Sequence, residues 1–354
     1  MRKQEKEKLV VVALGQLYLE NKEIIEEHFH VVALADNNGL KLQNRNDGFK
    51  YIKVDQVGEE TFDKVLVCTE SQYSSLRVQL LEQGIRPEKI CSLQLLEHIR
   101  WEKDYGKYVA DREMYRQLHQ SLGMDKFGFR EDNQCIMLSD YRKPAGKADD
   151  HYFYQDILTA SKIIGKRPAC HVDVGSRIDG FISHLLAAGI RTTVIDIRPL
   201  PVWNMGFGIP ELEFVQADAT DLNGIGDNSI ASLSSLHAVE HFGLGRYGDE
   251  VNPLACFAAM RSLQRVLAEE GTLYLSVPVG REEMLMFNGH RIFSPVTVVQ
   301  IMDEIRLLEL YVIHAGKILA YSGEDVEKGK YAGDLGGYDC GIFIFTKDRT
   351  EKPE

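Results

Sequence analysis

Apolar positions along this chain gather into short unbroken runs separated by helix-length stretches of mixed character, and the pattern occurs in both halves. In the first half the runs lie at residues 9–14, 31–35, 65–69 and 89–93. Runs of this length without polar alternation predict strands buried on both faces. Between them, residues 17–28 predict a helix with an acidic face, and residues 72–83 a helix that stops at Gly84. Strands alternating with helices predict a parallel sheet. Residues 95–125 are charged and helical in period, with Trp101, Tyr105, Tyr108, Tyr115 and Leu118 as the apolar points, so a connecting helix is expected. The polar residues 141–150 predict a loop.

The second half opens with a helix from His151 to about 164. Strands are predicted at 169–174, 192–196, 212–216, 229–236 and 272–277, then at about 308–314 and 341–346. Helices are predicted at about 178–188, at 253–268 ahead of Gly271, and at 295–305, where Pro295 follows the capping residue Ser294. Residues 321–340 carry Gly323, Gly329, Gly333, Gly336 and Gly337, and read as either a mobile flap or a long hairpin loop. The expected fold is therefore α/β with two Rossmann-like units. The downstream unit is expected to be a seven-stranded sheet of the class I S-adenosylmethionine (SAM) methyltransferase type with a late antiparallel hairpin. The expected boundaries are 1–98 for the first unit, 99–150 for a helical connector and loop, and 151–354 for the second unit.

Composition narrows the function classes. A chain of 354 residues with 44% hydrophobic content can build two ordinary cores. Its net charge of −12 argues against nonspecific nucleic-acid or anionic-membrane binding as a main function. Cys68, Cys91, Cys135, Cys170, Cys256 and Cys340 form no CxxC pair, so neither a disulfide framework nor a cysteine zinc site is expected, and a reducing cytoplasm fits best. The opening residues are charged and unlike a signal peptide, and no apolar stretch approaches a membrane span.

The densest chemistry lies at 170–196. An apolar strand runs through Asp173-Val174 into Gly175-Ser176-Arg177, a helix follows, and a second strand ends in Asp196-Ile197. That is the layout of a nucleotide-type site: a tight turn lets backbone approach the ligand, and an acid about 20 residues further on takes the ribose hydroxyls. Asp218-Ala219 follow the third strand, where an acid reaches an adenine amino group in class I methyltransferases. Arg177 and Asp179 stand where the usual motif has further glycines. Arg177 suits a methionine carboxylate, and equally could block the slot. Asp173, Gly175, Ser176, Arg177, Asp196, Ile197, Asp218 and Ala219 are thus the expected cofactor residues.

After the fourth strand comes Leu236-His237-Ala238-Val239-Glu240-His241-Phe242-Gly243-Leu244-Gly245-Arg246-Tyr247-Gly248-Asp249. Methyl transfer to a hydroxyl needs a base, and His241, His237 and His290 are the candidates. Arg246, Asp249, Asn288 and Arg291 are the expected acceptor-binding residues, and the glycines would let the loop close as a lid. His237 and His241 lie one helical turn apart, but no third ligand is marked by spacing, so no metal is expected.

From about 145 to 320 the chain resembles the uncharacterised methyltransferase-like family called domain of unknown function 268. The resemblance is carried by 151–156 (His-Tyr-Phe-Tyr-Gln-Asp), 171–177, Asp196-Ile197-Arg198-Pro199, 241–249 and Phe287-Asn288-Gly289-His290-Arg291. It makes Ser176-Arg177 a family trait. The first unit loosely resembles the Rossmann-like modules found ahead of enzymes in bacterial surface-polysaccharide gene clusters. Its glycine fingerprint is degenerate, with Ala13, Gly15 and Tyr18 at the three glycine positions and Asp36 where a ribose acid would stand. It reads as a scaffold or homodimerisation domain rather than a nucleotide site. Together the resemblances imply a cytoplasmic SAM-dependent methyltransferase acting on a sugar, nucleotide sugar or glycan precursor. Two other readings stay open: a noncatalytic binding or regulatory protein of methyltransferase shape, and a nucleotide-sugar-modifying enzyme using the first unit.

Overall fold

In the computed structural model, the four apolar runs of the first half form four of the five strands of a parallel sheet. It describes residues 6–43, 47–123, 125–131, 135–138, 141, 151–200 and 211–348. The loop expected at 141–150 falls almost wholly outside them. The chain divides into two compact units, Met1–Pro144 and Ala145–Glu354.

In the first unit, β1 (Lys8–Val12), α1 (Gln16–His28), β2 (His30–Ala35), β3 (Tyr51–Ile52), β4 (Lys64–Val67), α2 (Tyr73–Glu82), β5 (Ile90–Cys91) and α3 (Gln94–Ser121) follow in order. The sheet order is β3-β2-β1-β4-β5. Val10, Val12, Val65 and Val67 pack on one face while Leu9, Val11, Leu34 and Leu66 pack on the other, which is why these strands show no alternation. Only β3 escapes the sequence reading, because two residues carry no period.

The acid expected at a ribose position, Asp36, is engaged elsewhere. Its carboxylate accepts from the Leu14 N–H at 2.7 Å, the Asn38 N–H at 2.8 Å and the Lys41 ammonium at 3.2 Å. Tyr18, at the third glycine position, is buried in the core. Asp36 thus closes the turn after β2 and satisfies a buried donor.

The second unit carries α4 (His151–Lys166), β6 (Cys170–Val174), a π-turn over Ile178–Ile182 running into α5 (Ser183–Ala187), β7 (Arg191–Asp196), β8 (Leu212–Gln216), β9 (Ile230–Leu236), α6 (Ala255–Val266) and β10 (Leu267–Val279). The hairpin β11 (Met284–Met286) and β12 (His290–Ile292), then α7 (Pro295–Ile301), β13 (Arg306–His314), β14 (Lys317–Ser322), α8 (Gly323–Glu327) and β15 (Asp339–Thr346), complete it.

The large sheet is ordered β14-β13-β15-β10-β9-β6-β7-β8. β6 to β10 are mutually parallel, and β15 inserts antiparallel between β10 and β13. The sheet is thus parallel with a late antiparallel strand, as expected from the sequence. It has eight strands rather than the seven expected. The added β14 turns back from β13 through Ala315 and Gly316, both at positive φ as a tight two-residue hairpin turn requires. Its alternating exposure gave no apolar run to read. The segment 321–340, read as either a mobile flap or a long hairpin loop, contains α8, and it buries Val326, Tyr331 and Leu335 in the main core.

Asp36→Ala should lower the stability of the full chain by about 1–3 kcal/mol, the cost of leaving the buried Leu14 donor unpaired. Urea unfolding followed by tryptophan fluorescence reads it, and an unchanged midpoint would show the carboxylate to be dispensable.

Candidate functional site

Strand order reverses at β6, whose neighbours are β7 on one side and β9 on the other. Connections leave such a point in opposite directions, so a crevice opens at the carboxyl ends of the strands. Here it is a cavity of about 580 Å³, large enough for a small-molecule ligand.

The floor begins with Gly175. Its φ is +77°, and a Cβ there would stand 2.9 Å from the Ala238 Cβ. Both the left-handed turn and the close approach require glycine. Beneath it lies Asp173, fully buried. Its carboxylate accepts from the Ser176 N–H at 3.0 Å, the Ser176 hydroxyl at 2.6 Å and the Ser234 hydroxyl. Ser176 Oγ in turn accepts from the Leu236 N–H at 2.9 Å, tying β6 to β9. Burial raises the Asp173 pKa to about 6, against the opposing pull of these hydrogen bonds. Asp173 was expected to touch cofactor; it lies beneath the cavity lining and holds the turn from below.

Gly175, Ser176, Arg177, Asp196, Ile197, Asp218 and Ala219 all line the cavity. Arg177 sits over the Tyr152 ring, its guanidinium carbon 6.0 Å from the centroid. Asp218 uses one oxygen to accept from the Thr220 N–H at 2.8 Å. Asp196 accepts from Arg198 three times: backbone N–H at 2.8 Å, Nε at 2.9 Å and Nη2 at 2.6 Å.

The fourth-strand loop holds the other wall. His237 has φ +48° and pairs through Nδ1 with Glu240 Oε1 at 2.9 Å, both side chains buried. Burial opposes a charge on His237, but the Cys340 sulfur and the Glu240 carboxylate outweigh it and raise its pKa to about 10. Glu240 is held below the usual carboxylate range by His237, again against burial. The close pairing with Glu240 thus favours the charged form of His237, which suits it less well than His241 to the role of base. His241 differs. Burial, only partly offset by Glu240 at 3.6 Å from its Nε2, lowers its pKa. Its Nδ1 donates to the Gly289 carbonyl at 2.7 Å, which leaves Nε2 as the acceptor, with Arg246 Nη1 3.4 Å away.

Gly243, at φ +73°, would place a Cβ 1.9 Å from the Asn252 carbonyl oxygen. The loop winds around the Asp249 carboxylate, which accepts from the N–H groups of Gly243 at 2.9 Å, Gly245 at 3.3 Å and Tyr247 at 3.1 Å. These backbone donors lower its pKa against the effect of burial. Arg246 lines the cavity, and its Nη1 donates to the Gly289 carbonyl at 3.0 Å.

His290, Asn288 and Arg291 do not line the cavity, contrary to expectation. They belong to the β11–β12 hairpin, which braces the loop from outside. Arg291 Nη1 donates to the carbonyls of Phe242 at 2.8 Å and Glu240 at 3.2 Å, while the His290 ring lies 6.4 Å from His241 and 5.2 Å from Tyr338. Asn288 is exposed.

The sequence reading missed the contribution of α4. Tyr152, Phe153, Gln155 and Asp156 all line the cavity. Asp156 packs so closely that a Cβ on Gly180 would stand 2.4 Å from its Oδ2. Burial raises the Asp156 pKa. Gln155 receives the Ser276 hydroxyl and the Cys340 thiol at its carbonyl oxygen, so α4 is pinned to the ends of β10 and β15. The signal available was the phrase at 151–156, which marks a helix start and no particular role.

Residues 223–331 match the family described as Caenorhabditis protein of unknown function, DUF268. Residues 5–91 match the family described as C2185-like, N-terminal. No curated protein matches. Among solved structures, a 1,6-didemethyltoxoflavin-N1-methyltransferase of Burkholderia thailandensis, determined with 1,6-didemethyltoxoflavin and S-adenosylhomocysteine, is 13% identical; the match covers 70% of this chain and 90% of that one, with a TM-score of 0.40. The [4+2]-cyclase SpnF is 16% identical over 55% of this chain and 82% of its own, with a TM-score of 0.36. YcgJ of Bacillus subtilis is 14% identical over 56% and 99%, with a TM-score of 0.38.

Gly175→Ala should cost about 1–2 kcal/mol in stability from the left-handed backbone alone. Urea unfolding measures it, and an unchanged midpoint would show that the turn tolerates a side chain.

Proposed function

We propose that the second unit is a SAM-dependent methyltransferase that methylates a hydroxyl of a small acceptor, a sugar, nucleotide sugar or other glycan precursor. The observation that carries this reading is an open cavity at the strand-order reversal with the Asp196 carboxylate at its rim. The residues present fit the cofactor. Gly175 lets backbone approach, Asp196 offers two oxygens to a ribose diol, and Asp218 keeps an oxygen for an adenine amino group. Ser176 and Arg177 stand at the end suited to the amino-acid portion. Bound there, SAM would supply an electrophilic methyl group on a sulfonium.

The chain itself must hold the acceptor and take its proton. His241 suits the role of base because burial lowers its pKa, its Nδ1 hydrogen is spent on Gly289, and Nε2 carries the acceptor lone pair, met only by the long 3.4 Å contact from Arg246. The Glu240 carboxylate, 3.6 Å from Nε2, favours the imidazolium that forms. Arg246, beside His241, orients a polar group of the acceptor. The engagement of Asp36 by backbone supports the scaffold or dimerisation reading of the first unit.

Asp196→Ala should lose S-adenosylhomocysteine affinity by at least about tenfold, since one good pair of charge-assisted hydrogen bonds is worth roughly 1.5–3 kcal/mol. A variant that binds like wild type overturns the ribose assignment. With nucleotide sugars as acceptors and S-adenosylhomocysteine release as readout, His241→Asn should be about 10²- to 10⁴-fold slower. A base must be unprotonated, so the wild-type rate should fall as pH drops through a pKa below 6.5 and level off above it. A rate that begins to climb only in alkaline solution would assign the proton to another group.

A further inference from the structure

Arg198 occupies the two carboxylate oxygens that the cofactor reading assigns to ribose, with Nε and Nη2 at 2.9 and 2.6 Å. A diol and a guanidinium fork present the same pair of donors, so they cannot both hold Asp196 in this way. The guanidinium carbon of Arg198 also lies 4.6 Å from the centroid of the Tyr247 ring. Arg246 lies against the same ring at 5.1 Å. Two cations therefore share one aromatic wall of the cavity. Of the acids on that loop, Asp249 is taken up by three backbone N–H groups, and Glu250 lies on the exposed lining. While Arg198 is paired with Asp196 its charge is neutralised. Once released, it would leave two guanidinium groups beside Tyr247 and one step from His241.

We propose that the acceptor carries an anionic group, a phosphate or diphosphate, held between Arg198 and Arg246, and that Arg198 is freed for this only when the cofactor ribose displaces it from Asp196. The inference rests on the cofactor reading above. It makes binding ordered, cofactor before acceptor, because the anion site is half-built without the ribose. Arg198 has two roles in it: competitor for the cofactor, then ligand for the acceptor.

Calorimetry with S-adenosylhomocysteine and with inorganic pyrophosphate as the anion probe tests both. Arg198→Ala should bind S-adenosylhomocysteine about 3- to 10-fold tighter than wild type, as expected for removing a part-exposed bidentate competitor. Pyrophosphate should bind the S-adenosylhomocysteine-loaded protein about 3- to 10-fold tighter than the free protein, since the same ion pair is the only thing released. Arg198→Ala and Arg246→Ala should each lose that response, while Arg198→Lys, which keeps the charge without the fork, should retain most of it. Weaker S-adenosylhomocysteine binding by Arg198→Ala, or equal pyrophosphate binding with and without it, overturns the inference and leaves the cofactor reading standing. Wild-type protein that binds no S-adenosylhomocysteine overturns both, and the two failures are thus told apart.

Discussion

The site depends on one buried carboxylate. Asp173 lies inside the sheet at the point where β6 parts from its neighbours, and it takes hydrogen bonds from Ser176 of its own strand's turn and Ser234 of β9. A carboxylate in such a place is costly unless every lone pair is used. Its donors are what hold the turn at Gly175 in register with the end of β9, so the cavity floor and its far wall are set by the same group. Ser176 extends the tie to the Leu236 N–H. The same region carries a second buried polar group, His171, which sits between the Ser232 and Ser234 hydroxyls and is kept neutral by burial, with a pKa lowered to about 3. Ser234 serves both, so a continuous hydrogen-bonded chain runs along the seam between β6 and β9 beside the apolar packing of Val172, Val174 and Leu233.

Charges of both signs line the cavity: Asp156, Asp196, Asp218, Asp249 and Glu250 stand with Arg177, Arg198 and Arg246. Glu240 is fully buried and close to two histidines at once, 2.9 Å from His237 Nδ1 and 3.6 Å from His241 Nε2. The nearer pairing raises the His237 pKa, whereas burial prevails at His241 and lowers it. The β11–β12 hairpin adds no lining but holds the loop through Arg291 and the Gly289 carbonyl.

The order of elements and the α/β class were legible because strands buried on both faces must be unbroken apolar runs, and because Gly175 and Asp196 sit where the chain turns at strand ends. The position of the cavity followed from that order, as a parallel sheet opens where its connections diverge. What most side chains do there was decided by neighbours remote in sequence, Asp196 with its near neighbour Arg198 being the exception. Asp173 lies beneath the lining because Ser234 captures it. His290 and Arg291 stand outside because Phe242 and Glu240 present carbonyls to Arg291. Helix α4 reaches the cavity because Gln155 is held by Ser276 and Cys340, and Asp196 meets Arg198 before any ligand. A period or a motif reports the local backbone, whereas burial, pairing and proton affinity arise between segments that only the folded sheet brings within a few ångströms of each other.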